Sequence, residues 1–297
     1  MMFSSLSGDF LEDKMVEIKS RHIVLKISET GAEIKSLICD GEARIFEGDE
    51  KIWNGSAPIL FPICSGLRDG EYFYEGKRYT LPKHGYANFS VFEVESTTDC
   101  SATFLLRSNE KSREIYPFDY ELRVSYRLDA RTLYVNYEVK NLTDGDMYFS
   151  IGSHEAYLCS EGIEEYDVVF PVAETLETTL IDENGFGYDK KNVITDSNIL
   201  PLKNEYFEYD ALIFENMRSR EALIKHRYSD KAVRVKFPDT SLILLWTKPG
   251  APYICLEPWC GYPDRFDADK NFATKEGIIK IEKGGLWEKE HSIELIG

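Results

Sequence analysis

The sequence lacks the short motifs that mark nucleotide-dependent and metal-dependent enzymes. It contains no G-x-G-x-x-G after a strand-like run, no Walker A loop, no G-x-S-x-G elbow and no H-E-x-x-H pair. Its six cysteines, at positions 39, 64, 100, 159, 255 and 260, have no C-x2-C spacing. We therefore expect neither a cofactor nor a metal centre, and we interpret the cysteines as buried, reduced thiols.

Positive charge is also scarce, since 35 Lys and Arg face 52 Asp and Glu for a formal net charge of -17. A field of that sign repels nucleic-acid backbones and anionic lipid heads, so we expect neither as a partner and favour a small molecule. The N-terminal MMFSSLSGDFLEDK has no basic segment before an apolar core, and no run reaches the roughly 18 apolar residues of a membrane span. These features predict a cytoplasmic protein, with monomer and homodimer both left open.

Aromatic residues and alternating patterns are abundant. The chain has 18 Tyr, 17 Phe and 4 Trp, which favours β-sheet. Between Tyr120 and Asn141, apolar and polar residues alternate on both sides of a short polar link, and this pattern predicts an amphipathic hairpin. The stretch EYFYEGKRYTL, residues 71–81, predicts a second hairpin that turns at Glu75 and Gly76.

Helical periodicity is rare. Only residues 182–192 and 201–209 read as irregular or briefly helical, and no tandem repeat or low-complexity linker divides the chain. Many strands without interruption predict one domain over residues 1–297. The predicted fold is all-β, a large antiparallel sandwich with few short helices.

One carboxylate stands in an unusual place. In PYICLEPWCGYPD, Glu257 shares strand parity with Tyr253 and Cys255, so its side chain projects where an apolar side chain would be expected. An unpaired buried carboxylate costs several kcal/mol. Glu257 therefore has either a structural partner, for which Arg68 is a candidate, or a chemical task.

Two histidines are candidates for acid–base chemistry. His154 interrupts the apolar stretch MYFSIGSHEAYLC, where its neighbours would desolvate it and shift its pKa; the alternative is a core histidine bound to backbone. His84 precedes a glycine at a strand end and is free to point into a cleft, or is an exposed loop residue. The other three histidines lie in alternating patterns and are predicted to face solvent: His22, His226 and His291.

Asp210 and Asp264 are weaker candidates. Asp210 stands just before an apolar strand, where it could bind a sugar hydroxyl, orient a histidine or simply begin the strand. Asp264 follows Glu257 in a turn and is interpreted as a loop-closing residue.

Taken together, these stretches resemble the aldose 1-epimerase (galactose mutarotase-like) superfamily, and in particular its LacX-like branch. Single pieces would be weak evidence, but their order and spacing extend over most of the chain. The matching stretches are GAEIKSL (31–37), Trp53, APILFPICSGLRDG (57–70), LPKHGYAN (81–88), IGSHEAY (151–157), YDALIFENMRS (209–219), CLEPWCGYPD (255–264) and IEKGGLWEKEHSIEL (281–295).

The resemblance implies a β-supersandwich and the cofactor-independent interconversion of the α and β anomers of an aldose. By resemblance, Glu257 is the general base that takes the proton from the anomeric hydroxyl, and His154 is the general acid that protonates the ring oxygen. His84 takes the place of a second histidine that binds the substrate near the reacting centre. The implied substrate-binding residues are Arg68, Asp210 and, close to the base, Trp259.

Three alternatives remain open from the sequence. A carbohydrate-binding or regulatory protein could keep such a cleft with little turnover. A related branch of the superfamily acts on hexose 6-phosphates. In this sequence only Arg68 and Lys83 are candidate basic residues for binding a phosphate, and the net charge disfavours an anionic ligand. A glycosidase would require a second carboxyl group opposite Glu257, from Asp210 or Asp264.

Overall fold

The computed structural model describes residues 14–182, 185–240 and 242–297, so the prediction from the N-terminal stretch falls almost wholly outside the described residues. Strands dominate the described part of the chain. They are β1 (Met15–Lys19), β2 (Ile23–Ser28), β3 (Ile34–Cys39), β4 (Glu42–Ala43), β5 (Ile59–Leu60), β6 (Glu71–Tyr74), β7 (Lys77–Thr80), β8 (Glu93–Thr97), β9 (Ser101–Arg107), β10 (Tyr120–Asp129), β11 (Thr132–Asn141), β12 (Met147–Phe149), β13 (Ile151–Ser153), β14 (Ala156–Leu158), β15 (Tyr166–Asp182), β16 (Gly185–Pro201), β17 (Leu212–Phe214), β18 (Glu221–His226), β19 (Ala232–Lys236), β20 (Leu242–Trp246), β21 (Tyr253–Cys260), β22 (Ile279–Ile281) and β23 (Leu286–Ile296).

Helices are few and short, as predicted. The α-helix α1 covers Glu110–Ile115, and its first turn is closed by a reciprocal capping box between Asn109 and Ser112. The remaining helical turns are 3-10 helices at Arg68–Gly70, Ala87–Phe89, Ile163–Glu165, Asn204–Phe207 and Phe272–Thr274.

Two large antiparallel sheets carry the fold. One has nine strands in the order β16-β15-β18-β19-β23-β11-β10-β9-β8, and the other has the order β17-β20-β21-β13-β5, with β14 also pairing with β21. Strands β1 to β4 form a third sheet. Side chains from both large sheets, such as Leu122 and Val124 on β10 and Leu256 on β21, belong to one buried apolar cluster. The all-β antiparallel sandwich is therefore confirmed, while the extent of a single domain over residues 1–297 stays a prediction.

Both predicted hairpins are present. Strands β10 and β11 pair from Tyr120 with Asn141 to Asp129 with Thr132, and every second residue of β10 is buried. Strands β6 and β7 pair on either side of Glu75 and Gly76, which both have positive φ. Strict alternation thus matches sheets with one buried face.

The prediction of an irregular or helical segment at residues 182–192 is wrong. Strands β15 and β16 are 17 residues each and pair with one another, with residues 183 and 184 outside the described part. Register shifts occur at four places in this hairpin, and each shift interrupts the two-residue period by which a strand is recognised. The expectation for residues 201–209 is met by the short 3-10 helix there.

Two of the three histidines predicted to face solvent are buried. His226 ends β18 and His291 lies in β23, and both occupy the inward-facing parity of strands in the middle of the nine-stranded sheet. His22 is half-buried, with Nδ1 2.9 Å from Asp40. Five cysteines are buried as expected, but Cys100 is exposed. None of the helices described is long and apolar enough to cross a membrane.

Candidate active site

A cleft with a volume of about 500 Å³ lies on one face of the sheet that contains β5, β13, β14, β17, β20 and β21. This face points away from the main apolar core. On β21, Ile254 and Leu256 point into the main apolar cluster, whereas Tyr253 and Cys255 belong to the opposite face. Glu257 lies on that opposite face, between two small apolar clusters that contain Trp259 and Tyr253. The period of two therefore directs the carboxylate into the cleft.

Glu257 is 1% exposed, and its Oε2 atom has no hydrogen-bond partner among the described residues. Burial raises the pKa of Glu257 well above its ordinary value, and the nearby Glu155 raises it further, while Lys83 acts in the opposite direction. The environment of Glu257 therefore favours the protonated carboxyl group, and its Oε2 atom is available to bind a ligand.

His154 follows β13 and stands next to Glu257. Its Nε2 atom is 3.5 Å from Glu257 Oε2, and its Nδ1 atom is buried without a partner. The imidazole packs against two indoles that also contact one another, with its ring centre 5.0 Å from that of Trp53 and 5.3 Å from that of Trp246. Burial lowers the pKa of His154 to about 4.

The position of His84 is set by an unusual, left-handed backbone conformation. It has φ 69°, and Gly85 follows at φ 73°, where a Cβ atom would come within 2.2 Å of the Phe61 carbonyl oxygen. The backbone N–H of Ser65 donates to His84 Nδ1 at 3.1 Å. The proton of the neutral ring is therefore on Nε2, because burial lowers the pKa of His84 to about 2. Its ring centre is 5.8 Å from that of His154.

Asp210 and Trp259 also line the cleft. Asp210 Oδ1 accepts a hydrogen bond from the backbone N–H of Ala211 at 2.9 Å, which fixes the carboxylate at the start of β17. Trp259 is buried, and its indole N–H donates to the Ser153 carbonyl oxygen at 3.2 Å. This bond ties β21 to the strand that leads into His154.

Arg68 lies apart from this group. Its Nη1 donates to the Ala268 carbonyl oxygen at 2.8 Å, and its backbone N–H donates to Asp264 Oδ2 at 2.9 Å. Arg68 is not among the described residues that line the cleft, and its guanidinium makes no ion pair with Glu257. The structural alternative of a Glu257–Arg68 pair is therefore wrong, while the substrate-binding role of Arg68 stays a prediction.

Asp264 has the loop-closing role expected from its position. Besides accepting from the backbone of Arg68, its Oδ1 atom pairs with Lys275 Nζ at 2.6 Å, and both side chains are buried.

Sequence reasoning missed a buried ion pair behind the cleft. Glu155 Oε1 is 2.9 Å from His291 Nε2, and both side chains are at most 3% exposed. Burial alone would raise the pKa of Glu155, but His291 and Ser153 outweigh it, and the net pKa is lowered. The alternation around His291 carried no sign of this partner, because the two residues meet only through the packing of the sheets.

Trp246 and Lys248 were also missed as cleft residues. Their only signal was their position at the end of an apolar strand run, where a side chain can leave the core. Lys83 lies in the cleft as well and is exposed.

Known proteins resemble this chain over nearly its full length. The family model described as aldose 1-epimerase matches residues 14–294. A galactose mutarotase related enzyme of known structure from Lactobacillus acidophilus is 32% identical, with a TM-score of 0.90 over 95% of this chain and 97% of that chain. A galactose mutarotase-like protein from Lactobacillus casei is 27% identical with a TM-score of 0.88, covering 95% of this chain and all of that one. The plasmid-encoded protein LacX of Lactococcus lactis is 28% identical over 95% of this chain and 99% of its own. This chain is therefore an enzyme of the isomerase class that belongs to the aldose 1-epimerase family.

Proposed function

We propose that this enzyme interconverts the α and β anomers of an unphosphorylated hexose or related sugar, with Glu257 as general base and His154 as general acid and with no cofactor. The observation that carries the proposal is the 3.5 Å separation of Glu257 Oε2 and His154 Nε2 inside one cleft. The two oxygen atoms that exchange protons in the reaction, O1 and O5, are bonded to the same carbon. Two neighbouring side-chain atoms can therefore serve both.

The proposed reaction conserves protons within the site. Glu257 takes the proton from O1 as the C1–O5 bond breaks, and its electron pair goes to O5, which receives a proton from His154. The open-chain aldehyde then rotates about C1–C2. Closure on the other face returns the proton from Glu257 to O1 and the O5 proton to His154. The two residues thus exchange duties without any net change in their number of protons.

The protonation state of the pair fits this cycle. Burial favours the neutral form of both Glu257 and His154. A protonated carboxyl beside a neutral imidazole has the same number of protons as a carboxylate beside an imidazolium. The two forms differ only in which residue holds one proton, which the pair can therefore share. Hydroxyl groups of a bound sugar would donate to the carboxylate, which favours the ion pair that begins the reaction.

The remaining cleft residues suit a neutral sugar. His84 presents an Nε2–H donor toward the space beside His154. Trp53 and Trp246 provide ring surfaces for the C–H faces of a pyranose. Asp210 can accept from a sugar hydroxyl.

The test is to follow the equilibration of freshly dissolved α-glucose and α-galactose by NMR or polarimetry. We expect the wild-type enzyme to accelerate equilibration and Glu257→Gln to lose at least about 10²-fold of that acceleration. Glu114→Gln changes an exposed glutamate on α1 and serves as the matched control. Equal rates for wild type and Glu257→Gln would contradict the role of Glu257. No acceleration for a panel of free sugars would favour a binding or regulatory protein instead.

One observation favours a hexose 6-phosphate as the second candidate substrate, because Lys83 and Lys248 both line the cleft. Lys248, however, donates to the Ile52 carbonyl oxygen, and the cleft also contains Glu33 and Asp210. The same assay with α-glucose 6-phosphate decides between the two. Release of free sugar from an aryl glycoside would instead favour a glycosidase that uses Glu257 and Asp210.

A further inference from the structure

A cluster with the donor types of a transition-metal site adjoins the cleft: His154 and Glu257 line the cleft, whereas Cys255 is fully buried and does not. One ligand atom from each of His154, Cys255 and Glu257 lies within 4.8 Å of the other two, and all three residues are buried. Cys255 and Glu257 are two positions apart on β21 and share a face, while His154 follows the strand that pairs with β21. The absence of metal-type spacing in the sequence does not exclude this cluster, because strand pairing assembles it.

One ligand atom of the cluster has no hydrogen-bond partner in the described part of the chain. Glu257 Oε2 is buried without a hydrogen bond, and the Glu257 side chain is only 2% exposed. His154 Nε2 faces this atom at 3.5 Å, and the other ring nitrogen of His154, Nδ1, is also buried without a partner. Buried polar atoms without partners are rare in proteins and call for a ligand or a task. Cys255 adds a thiol beside them that the proposed epimerisation does not use.

We propose that His154, Cys255 and Glu257 bind one Zn²⁺-class ion, and that the ion and the sugar exclude each other from the cleft. Three protein ligands would leave a fourth position for a water molecule, as in zinc sites that retain one, and two of the three ligands line the cleft. The thiolate and imidazole select a borderline or soft ion over Mg²⁺ and Ca²⁺, which prefer oxygen ligands.

The distances agree with a single ion. Zinc lies about 2.0–2.3 Å from N, O and S ligands, so two ligands on a tetrahedral ion are about 3.3–3.7 Å apart. The 3.5 Å between His154 and Glu257 is already within that range, and the other two separations, which are at most 4.8 Å, would each have to shorten by no more than about 1.5 Å.

Binding has a defined proton balance. The Cys255 thiol loses its proton as the sulfur–metal bond forms, and the proton shared by Glu257 and His154 also leaves. We therefore expect about two protons to be released per ion bound. Metal binding does not depend on the proposed epimerase reaction, whereas inhibition by the metal does, because the ion occupies the base and the acid.

The experiment titrates the full-length protein with Cd²⁺ and follows the ultraviolet thiolate-to-metal charge-transfer band, with excess Mg²⁺ present to occupy surface carboxylates. All proteins carry Cys100→Ser, which removes the exposed thiol. Cys255→Ser is compared with Cys64→Ser, a change at another fully buried cysteine outside the cluster. We expect one Cd²⁺ per chain in the parent and in Cys64→Ser. In Cys255→Ser we expect loss of the band and affinity weaker by at least about tenfold.

A second arm measures Zn²⁺ inhibition of sugar equilibration. Cys255→Ser keeps His154 and Glu257, so it should remain active while the Zn²⁺ concentration for half-inhibition rises at least about tenfold. An unchanged Cd²⁺ titration in Cys255→Ser would overturn the metal site even if the enzyme is a mutarotase. A cysteine-dependent Cd²⁺ band without mutarotation would support the site and reject the proposed function. If Cys255→Ser does not fold, His154→Gln provides the same comparison in the Cd²⁺ arm, and an undiminished affinity there overturns the proposal.

Discussion

At the scale of single residues, the Glu257–His154 pair ties the pH dependence of the proposed reaction to burial. At neutral pH the pair holds one shared proton. A second proton adds to His154 only in acid, because the pKa of His154 is lowered to about 4. Loss of the shared proton is governed by Glu257, whose pKa is raised. Activity should therefore persist further into the acid range than an ordinary imidazole would allow.

We predict a bell-shaped pH profile of kcat/KM whose acid limb lies near pH 4. Below that limb the imidazole and carboxyl are both protonated and no base remains; above the alkaline limb the pair has lost its only proton and no acid remains. Steady-state rates across the pH range on α-glucose or α-galactose check this. An acid limb at pH 6.5 would show that burial does not control His154 in the working enzyme.

His84 acts as a hydrogen-bond donor in the proposed site. We predict that His84→Ala lowers kcat/KM by about 10²-fold, because a positioned donor near the reacting oxygen atoms is removed. His84→Asn keeps an N–H donor and should recover part of the loss. Equal losses in both variants, with unchanged thermal unfolding, would contradict a donor role.

At the scale of elements, the loop that carries His84 depends on Gly85. Its φ is 73°, and a Cβ atom there would come within 2.2 Å of the Phe61 carbonyl oxygen. We predict that Gly85→Ala lowers the free energy of unfolding by more than about 2 kcal/mol, because it combines backbone strain with a clash. Urea unfolding measures the change.

Gly76 provides the matched control for Gly85. It has φ 74° in the turn between β6 and β7, and nothing lies within 4 Å of a Cβ added there. Gly76→Ala should therefore cost only the strain of the left-handed conformation, about 1–2 kcal/mol. Equal costs at the two positions would show that the contact with Phe61 is unimportant.

The Glu155–His291 pair joins the residue just before β14 to strand β23. We predict that His291→Ala destabilises the protein by about 3–5 kcal/mol at pH 7, because a fully buried carboxylate loses its partner. The lowered pKa of Glu155 contributes stability above the pKa of unfolded glutamate, and this is lost as pH falls. The difference between wild type and variant should therefore shrink toward pH 4 in urea titrations, and a constant difference would contradict the assignment.

The sequence predicts those elements whose side chains obey one period. The hairpin of β10 and β11 has an uninterrupted alternation, and the parity of β21 correctly grouped Glu257 with Tyr253 and Cys255. That this face lies away from the main core could not be read from the parity alone. Strands β15 and β16 escaped detection because their register shifts disturb that period. The pairing of Glu155 with His291 could not be predicted either, since it depends on how two sheets pack and not on either local pattern.

At the scale of the whole molecule, the net charge of -17 acts on every approaching ligand. We predict that kcat/KM for a neutral hexose is insensitive to salt between low and physiological ionic strength. For a hexose 6-phosphate, kcat/KM should rise with salt as repulsion is screened. Initial rates at two or more NaCl concentrations test this, and a fall with salt for the phosphate would instead indicate attraction by Lys83 and Lys248.

His84, His154 and Glu257 are contributed by three segments that lie far apart along the chain. No local hairpin contains two of them, so the cleft exists only when the long-range pairing of β13 and β21 and the loop before the Ala87–Phe89 turn are all in place. Long-range contacts form late in the folding of β proteins. During refolding from urea, a sugar-equilibration signal should accordingly return after the far-ultraviolet circular dichroism, making catalysis a reporter of complete assembly.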